Sequence, residues 1–198
     1  MLAFAREKAT LQGLSNVEFR CIDAEKLDVP DASFDALTCR WGIMFMPDPV
    51  EALRRARAAL RGGSRVAVAT WANPQRNPFA SVPLSVVRRH IDLPTPPPGT
   101  PGIFAFADPA RLRSTVEEAG FSDVAVEEVE VTFMEVESGA AYWNIMRDIA
   151  GPIIALIGQL PEAERERVHT EICEAAEALR VGDRVIVKGV SLVASGRC

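Results

Sequence analysis

A strand, a helix and a second strand follow one another between residues 34 and 71, and this pattern limits the chain to few folds. Residues 34–41 follow a turn cluster and predict a strand. Pro47-Asp-Pro49 then opens a predicted helix over residues 50–60. Residues 65–71 are nearly all apolar, as a strand covered on both faces requires. Two strands joined by such a helix predict neighbouring parallel strands in a layered α/β domain.

The pattern continues on both sides of this unit. Further predicted helices cover residues 1–12, 82–91, 109–119, 139–148 and 162–180, and further predicted strands cover residues 17–22, 124–133 and 183–194. We divide the chain into a partial α/β core over residues 1–135, a helical insertion over 136–182, and a final strand over 183–198 that returns to the core sheet. Residues 72–109 hold nine prolines and are interpreted as a lid or substrate-facing insertion, with a proline-rich surface excursion as the alternative.

Composition excludes several kinds of partner and site. With 198 residues, 48% of them hydrophobic, the chain can bury the core of one domain. The net charge of −5 argues against binding to nucleic acid or to an anionic membrane surface. The four cysteines, at 21, 39, 173 and 198, form no Cys-x-x-Cys pair, which favours reduced thiols, a cytoplasmic location and no metal site. No apolar run approaches the roughly 18–20 residues that cross a bilayer.

Polar and aromatic residues follow three predicted strands. Asp23-Ala-Glu25 comes after residues 17–22, and its carboxylates either bind a ligand or cap a turn. Arg40-Trp41-Gly42 and Trp71-Ala-Asn73 follow the next two strands. Since ligands of α/β sheets bind beyond the carboxyl ends of the strands, we expect these groups to meet at one rim.

Two further groups of residues each have a functional and a structural interpretation. His90 lies in the proline-rich segment and is a candidate general base, although a lone histidine there is more often a surface residue. Tyr142, Trp143 and Met146 lie at helical spacing and could cover a substrate, but such a stripe more often belongs to the core.

An ordered series of segments resembles the class I S-adenosylmethionine-dependent methyltransferases, in particular the ubiquinone/menaquinone-biosynthesis branch. The series comprises Met1–Arg6, Asn16–Glu25, Pro30–Leu37, Arg40–Pro49, Ala59–Gly63 and the strand that ends at Trp71, within roughly the first 75 residues. The resemblance implies a Rossmann-like sheet of order 3-2-1-4-5-7-6, S-adenosylmethionine as cofactor and a small organic molecule as methyl acceptor.

The resemblance also implies roles for individual residues. Asp23 would accept a hydrogen bond from the adenine amino group, the Ala24 backbone would bind the adjacent ring nitrogen, and Glu25 belongs to the same motif. Arg40 would lie near the methionine part of the cofactor, with Trp41 as a wall of the pocket. Methyl transfer from a sulfonium needs positioning of the acceptor and exclusion of water, so neither a catalytic triad nor a metal is expected.

One element of the family's pattern is missing from the sequence. No Gly-x-Gly occurs in the chain, and the family's glycine-rich loop and ribose-binding acid would precede or open the first helix. We therefore expect an N-terminally truncated sheet that lacks strands between residues 17–22 and 34–41. Three outcomes are open: the native start lies upstream, the two flanking strands close up, or two chains pair as a homodimer.

Two other functions are considered. One is a non-catalytic, truncated methyltransferase-like protein that folds or dimerises without binding the cofactor productively. The other is a different doubly wound nucleotide-binding enzyme, which the absence of a phosphate loop disfavours.

Overall fold

The computed structural model describes residues 1–94, 96–97 and 99–198; Thr95 and Pro98, within the predicted lid over 72–109, lie outside the described residues. The helices are α1 (Leu2–Leu11), α2 (Pro49–Ala59), α3 (Pro78–His90), α4 (Pro109–Glu118), α5 (Gly139–Ile149), α6 (Gly151–Ile157) and α7 (Glu162–Glu177). The strands are β1 (Phe34–Arg40), β2 (Leu60–Trp71), β3 (Ser122–Val136), β4 (Arg180–Val181) and β5 (Arg184–Arg197). Short 3₁₀ turns cover Ala24–Lys26, Ile43–Phe45 and Pro74–Arg76.

The strands form one mixed sheet in the order β1-β2-β5-β3, with β4 paired to β5. Strands β1 and β2 are parallel, as two strands joined by the crossover helix α2 must be, whereas β5 runs antiparallel to both β2 and β3. In the seven-stranded order 3-2-1-4-5-7-6 that the resemblance implies, β1, β2, β5 and β3 correspond to strands 4, 5, 7 and 6. The predicted α/β fold is confirmed.

The strand predicted over residues 17–22 is wrong. These residues have no strand structure, and Val17 and Ile22 are 45% and 38% exposed. Local alternation predicts which side chains could share a face, but a strand also needs a neighbour for its backbone hydrogen bonds. Among the described strands, β1 has a partner on one side only, so the two flanking segments do not close up.

One face of the β1–β2 part of the sheet is packed against helices. Register places Leu37 beside Val66 and Cys39 beside Val68, and these side chains join the core with α2 and α4. Successive residues of a strand point to opposite faces, so the residues between them lie on the other side. There Ala36, Thr38 and Arg40 of β1 are all exposed. Strand β1 therefore contributes one half-buried face, through Leu37 and Cys39, and one open face.

A proline inside α3 leaves one backbone carbonyl without its helical donor. Pro83 has no N–H and cannot bond to the carbonyl of Phe79, four residues earlier. The buried hydroxyl of Tyr142 on α5 donates to that carbonyl at 2.9 Å. Burial raises the pKa of Tyr142 well above its ordinary value, so the hydroxyl keeps the proton that it donates. The side chain replaces the missing backbone bond and fastens α3 to α5.

Candidate functional site

The carboxyl end of β1 turns sharply at Trp41. Its φ of +55° lies in the left-handed region, which is uncommon for a bulky residue. The Trp41 N–H still donates to Ala69 O on β2 at 2.8 Å, so the residue is fixed to the sheet as the chain leaves it. Conformations of this kind persist only where the surroundings hold them, and they are frequent at functional sites.

Two stacked indoles form the wall behind this turn. The ring of Trp41 lies 4.3 Å from that of Trp71, at the end of β2, with only 16° between their planes. The Trp41 indole N–H donates to Ser191 Oγ at 3.1 Å, and Ser191 Oγ donates to Thr70 O at 2.7 Å. The end of β1 is thereby tied to β2 and β5 through aromatic and polar contacts together.

The aromatic wall continues through two phenylalanines. Trp71 contacts Phe79 of α3, with ring centroids 4.6 Å apart, and Phe79 stacks on Phe133 of β3 at 4.4 Å. Offset and stacked aromatic pairs add to the stability that burial alone provides. The strand ends, α3 and β3 are thus joined by one aromatic cluster.

Asn77 fixes the segment between β2 and α3. This residue is fully buried, and its Nδ2 donates to Ala72 O and Asn73 O at 3.0 Å and to Val190 O at 3.2 Å. Its Oδ1 accepts from Val190 N at 3.0 Å. One amide therefore satisfies backbone groups of two chain segments. Sequence reasoning identified Asn73 at this rim and missed Asn77, whose only signal is a polar residue next to the helix-opening Pro78.

Arg40 places a positively charged guanidinium beside the two stacked indoles, on their solvent-exposed side. Its guanidinium carbon lies 5.0 Å from the centre of the Trp41 ring, within the range of a cation–π contact. The residue is exposed, and it forms no salt bridge with any of the described residues. Arg40 and Trp41 therefore meet at the carboxyl end of β1, where the sequence analysis expects them.

Asp23 and Glu25 both make local structural contacts. Asp23 caps the 3₁₀ turn by accepting from Glu25 N at 3.1 Å, and the Glu25 carboxylate accepts from Asp48 N at 2.9 Å, just before α2. These contacts hold residues 23–26 against α2, the helix that follows the Trp41 turn. Among the described residues, no direct contact joins Asp23 to Arg40 or Trp41.

His90 lies elsewhere, at the last residue of α3. Its Nε2 is 3.3 Å from Glu171 Oε2 on α7, and the same carboxylate accepts from Arg89 at 2.7 Å. These residues line a surface pocket of about 540 Å³ with Glu174 and Ala175. The contacts of His90 are with α7, and its role as a base stays a prediction.

A larger cavity of about 1010 Å³ lies between α3, residues 99–107 and α6. It is bounded by the two parts of the chain interpreted above as insertions. Gly102 N donates to Met44 O at 2.8 Å, which ties the cavity wall to the 3₁₀ turn that follows Trp41. The cavity and the indole wall are therefore connected through one hydrogen-bonded segment.

Two features are absent from the described residues. In residues 1–94, 96–97 and 99–198, no three potential metal-ligating side chains form a cluster. Nor does that part of the chain contain a helix with the length and apolar character needed to cross a membrane.

A protein family described as a methyltransferase domain matches residues 1–68. That segment contains both Asp23–Glu25 and Arg40–Trp41, the residues assigned to the cofactor by resemblance. Over residues 1–68 the chain is therefore similar to the class I S-adenosylmethionine-dependent methyltransferases. This confirms the resemblance predicted from the sequence.

Two curated relatives show the extent of this similarity. The demethylmenaquinone methyltransferase of Deinococcus radiodurans is 32% identical over 132 residues, 61% of this chain and 54% of that protein. The phosphatidylethanolamine N-methyltransferase of Cereibacter sphaeroides is 33% identical over 89 residues, 44% of each chain. The chain thus spans about half the length of these methyltransferases. The names of the two relatives give different methyl acceptors, demethylmenaquinone and phosphatidylethanolamine.

Solved structures show the same methyltransferase fold. A protein from Bacillus halodurans C-125, assigned as a methyltransferase, superposes with a TM-score of 0.55 at 17% identity, over 99% of this chain and 78% of that one. At this level of identity the likeness concerns the fold alone.

Proposed function

We propose that the chain takes part in methyl transfer from S-adenosylmethionine to a small organic acceptor. The observation that carries this proposal is the methyltransferase-family match over residues 1–68, which includes the rim where Arg40 and Trp41 meet. When bound, S-adenosylmethionine supplies an activated methyl group on a sulfonium. The protein's part is to bind, align and shield the reactants.

The 3₁₀ turn at residues 23–26 has the donor and acceptor pattern of an adenine-binding edge. Asp23 is more than half exposed, so its carboxylate can accept a further hydrogen bond besides that from Glu25 N. Within the described residues, the Ala24 N–H donates to no protein acceptor. An acceptor beside a free donor complements the amino group and the adjacent ring nitrogen of adenine.

Arg40 and Trp41 fit the other end of the cofactor. An exposed guanidinium favours the carboxylate of a methionine chain, and the indole offers it an apolar wall. The cavity tied to the same segment through Gly102 and Met44 is the proposed acceptor side. Aromatic and apolar walls there would exclude water from the reacting atoms.

Calorimetric titration of the chain with S-adenosylmethionine tests this proposal. We expect micromolar binding, and we expect Asp23→Ala to weaken it about tenfold to hundredfold because a hydrogen bond to a charged group is lost. Asp28→Ala, which removes an exposed carboxylate from the same segment, is the matched control and leaves the affinity unchanged.

The opposite result would favour the non-catalytic alternative. If the chain is folded by circular dichroism yet releases no heat at millimolar cofactor, the proposed function is wrong. Equal affinities for Asp23→Ala and wild type would remove Asp23 from the proposed site while leaving cofactor binding intact.

We further propose that two chains associate through β1. This strand has seven residues, contains neither proline nor lysine, and has no partner on its outer side among the described strands. The Trp41 N–H points to β2, so by alternation the Thr38 N–H points outward. An unprotected edge of this kind is a template for antiparallel pairing with a second copy.

Light scattering on Thr38→Pro tests the pairing. Proline removes the outward donor of residue 38 without removing a bond to β2, so we expect a dimeric wild type and a monomeric variant. Thr38→Val keeps the N–H and is expected to remain dimeric. A wild-type chain that is monomeric at high micromolar concentration would exclude this association.

The cytoplasmic location is also a proposal. Cys21, Cys39, Cys173 and Cys198 are all free thiols, a state that a reducing compartment maintains. Fractionation of cells that produce the native protein would test it directly.

A further inference from the structure

The 1010 Å³ cavity between α3 and α6 has the size of a ligand site. Ligand pockets commonly span about 300–1,000 Å³, whereas packed interiors contain few voids larger than a water molecule. Helix α3 packs the side that carries Phe79, Val86 and Val87 into the core and turns another side toward the cavity. The space is therefore not a packing defect within the core.

The cavity walls are mainly apolar. Its apolar lining comprises Pro74, Ala80, Val82, Leu84, Leu93, Pro94, Pro96, Pro97, Pro101, Ile103, Phe104, Ala105, Ala107, Pro152, Ile153 and Leu156. The polar side chains are Gln75, Ser81, Ser85, Thr100 and Arg88, and no aspartate or glutamate is among the described lining residues. A mostly hydrophobic wall with a few polar groups is typical of sites for organic ligands.

Arg88 is the single charged residue of this lining, and its neighbour Arg89 behaves differently. Arg89 donates to Glu171 on α7 at 2.7 Å and lines the separate pocket around His90. Arg88, one position earlier, forms no salt bridge with any carboxylate of the described chain. Arg88 is exposed to solvent, and a guanidinium that is free of protein carboxylates beside apolar walls can pair with the carboxylate of a bound ligand.

We propose that this cavity binds an amphipathic organic carboxylate, with its apolar chain or ring against α3, residues 101–107 and α6, and its carboxylate on Arg88. A planar guanidinium binds a carboxylate through two parallel hydrogen bonds, which gives the ligand a fixed orientation. This cavity is the acceptor side named above, so the inference rests on the proposed function and gives the chemical class of the acceptor, although the binding itself requires no S-adenosylmethionine.

Calorimetric titration with decanoate tests this site. We expect saturable binding to the wild type and a tenfold to hundredfold weaker affinity for Arg88→Gln, because a hydrogen bond between charged groups is lost. Arg89→Gln is the matched control: it removes the adjacent charge outside this cavity, and its affinity is expected to stay within twofold of wild type. Decanol, which has the same chain without the charge, is expected to bind at least tenfold more weakly than decanoate.

A second variant tests the apolar part. Ser85 lines the cavity from the exposed side of α3, so Ser85→Trp is expected to narrow the space beside Arg88 and weaken decanoate binding at least tenfold without unfolding the chain. Thermal melting verifies that each variant is folded. The proposal is wrong if folded wild type releases no heat at millimolar decanoate, if Arg88→Gln binds as tightly as wild type, or if decanol and decanoate bind equally. Because these titrations contain no S-adenosylmethionine, their outcome is separate from that of the proposed function.

Discussion

Asn77→Ala should lower the free energy of unfolding by about 3 kcal/mol, since each buried backbone group left without a partner costs about 1–3 kcal/mol. The substitution leaves the Val190 N–H without its acceptor and the buried Ala72 C=O without its Asn77 donor, whereas Val190 C=O keeps the bond from Ala72 N at 2.9 Å. For a domain of this size, roughly 2–4 °C of melting temperature corresponds to each kcal/mol. Urea unfolding of the variant, followed by tryptophan fluorescence, measures the loss directly.

Asn73→Ala is the matched control for this change. Asn73 is exposed and caps the adjacent 3₁₀ turn by accepting from Arg76 N at 3.2 Å. Loss of an exposed cap costs about 0.5–1 kcal/mol, well below the value expected for Asn77. Equal losses for the two variants would show that the buried amide does not hold the β2–α3 segment to β5.

A double-mutant cycle on Tyr142 and Pro83 has the second large expected effect. Tyr142→Phe removes the hydroxyl that donates to the Phe79 carbonyl in place of the N–H that Pro83 lacks, at a cost of about 1–3 kcal/mol. Pro83→Ala restores an N–H at the position that would normally bond to that carbonyl. In the Pro83→Ala background we therefore expect Tyr142→Phe to cost less than half as much.

Chemical denaturation of the four proteins of this cycle measures the coupling. Independent sites would give additive losses, whereas one carbonyl shared between two alternative donors gives a coupling energy of about 1 kcal/mol or more. Additive losses would mean that α3 does not depend on α5 for this bond. The helical spacing of Tyr142, Trp143 and Met146 predicts a buried stripe, and all three are buried, but periodicity gives no information on the hydroxyl's acceptor.

The sequence predicts the elements that carry their own local signals. The apolar run at residues 65–71 forms a strand and the proline-opened helix after Asp48 also forms, because an apolar run and an N-cap are visible in the residues themselves. The expected cover on both faces is only partly realised, since Ala67 and Ala69 are half-buried. Residues 17–22 also alternate, yet they form no strand, because a strand depends on a partner that lies elsewhere. Pairing is a property of the sheet, and the local pattern does not contain it.

The same distinction between local signals and long-range pairing applies to the candidate site. The importance of the neighbours Arg40 and Trp41 follows from their place at the end of a strand, and the structure adds that the Arg40 guanidinium lies 5.0 Å from the centre of the Trp41 ring. Ser191 lies 150 residues from Trp41 and becomes its hydrogen-bond acceptor only through the β2–β5 register. Contacts of this long range depend on which strands are neighbours, and no spacing within the sequence indicates them.

The two outer strands of the sheet differ in charge, and this difference limits how far an assembly can grow. β1 contains one aspartate and one arginine, whereas β3 contains five acidic residues and no basic one. A pair formed through β1 uses that edge in both copies and leaves two acidic β3 strands at its ends. Charged side chains along an edge disfavour the addition of another strand, and four of these carboxylates already pair with Arg76, Arg184, Lys188 and Arg197. The assembly would therefore close at two chains and would not extend into a fibre.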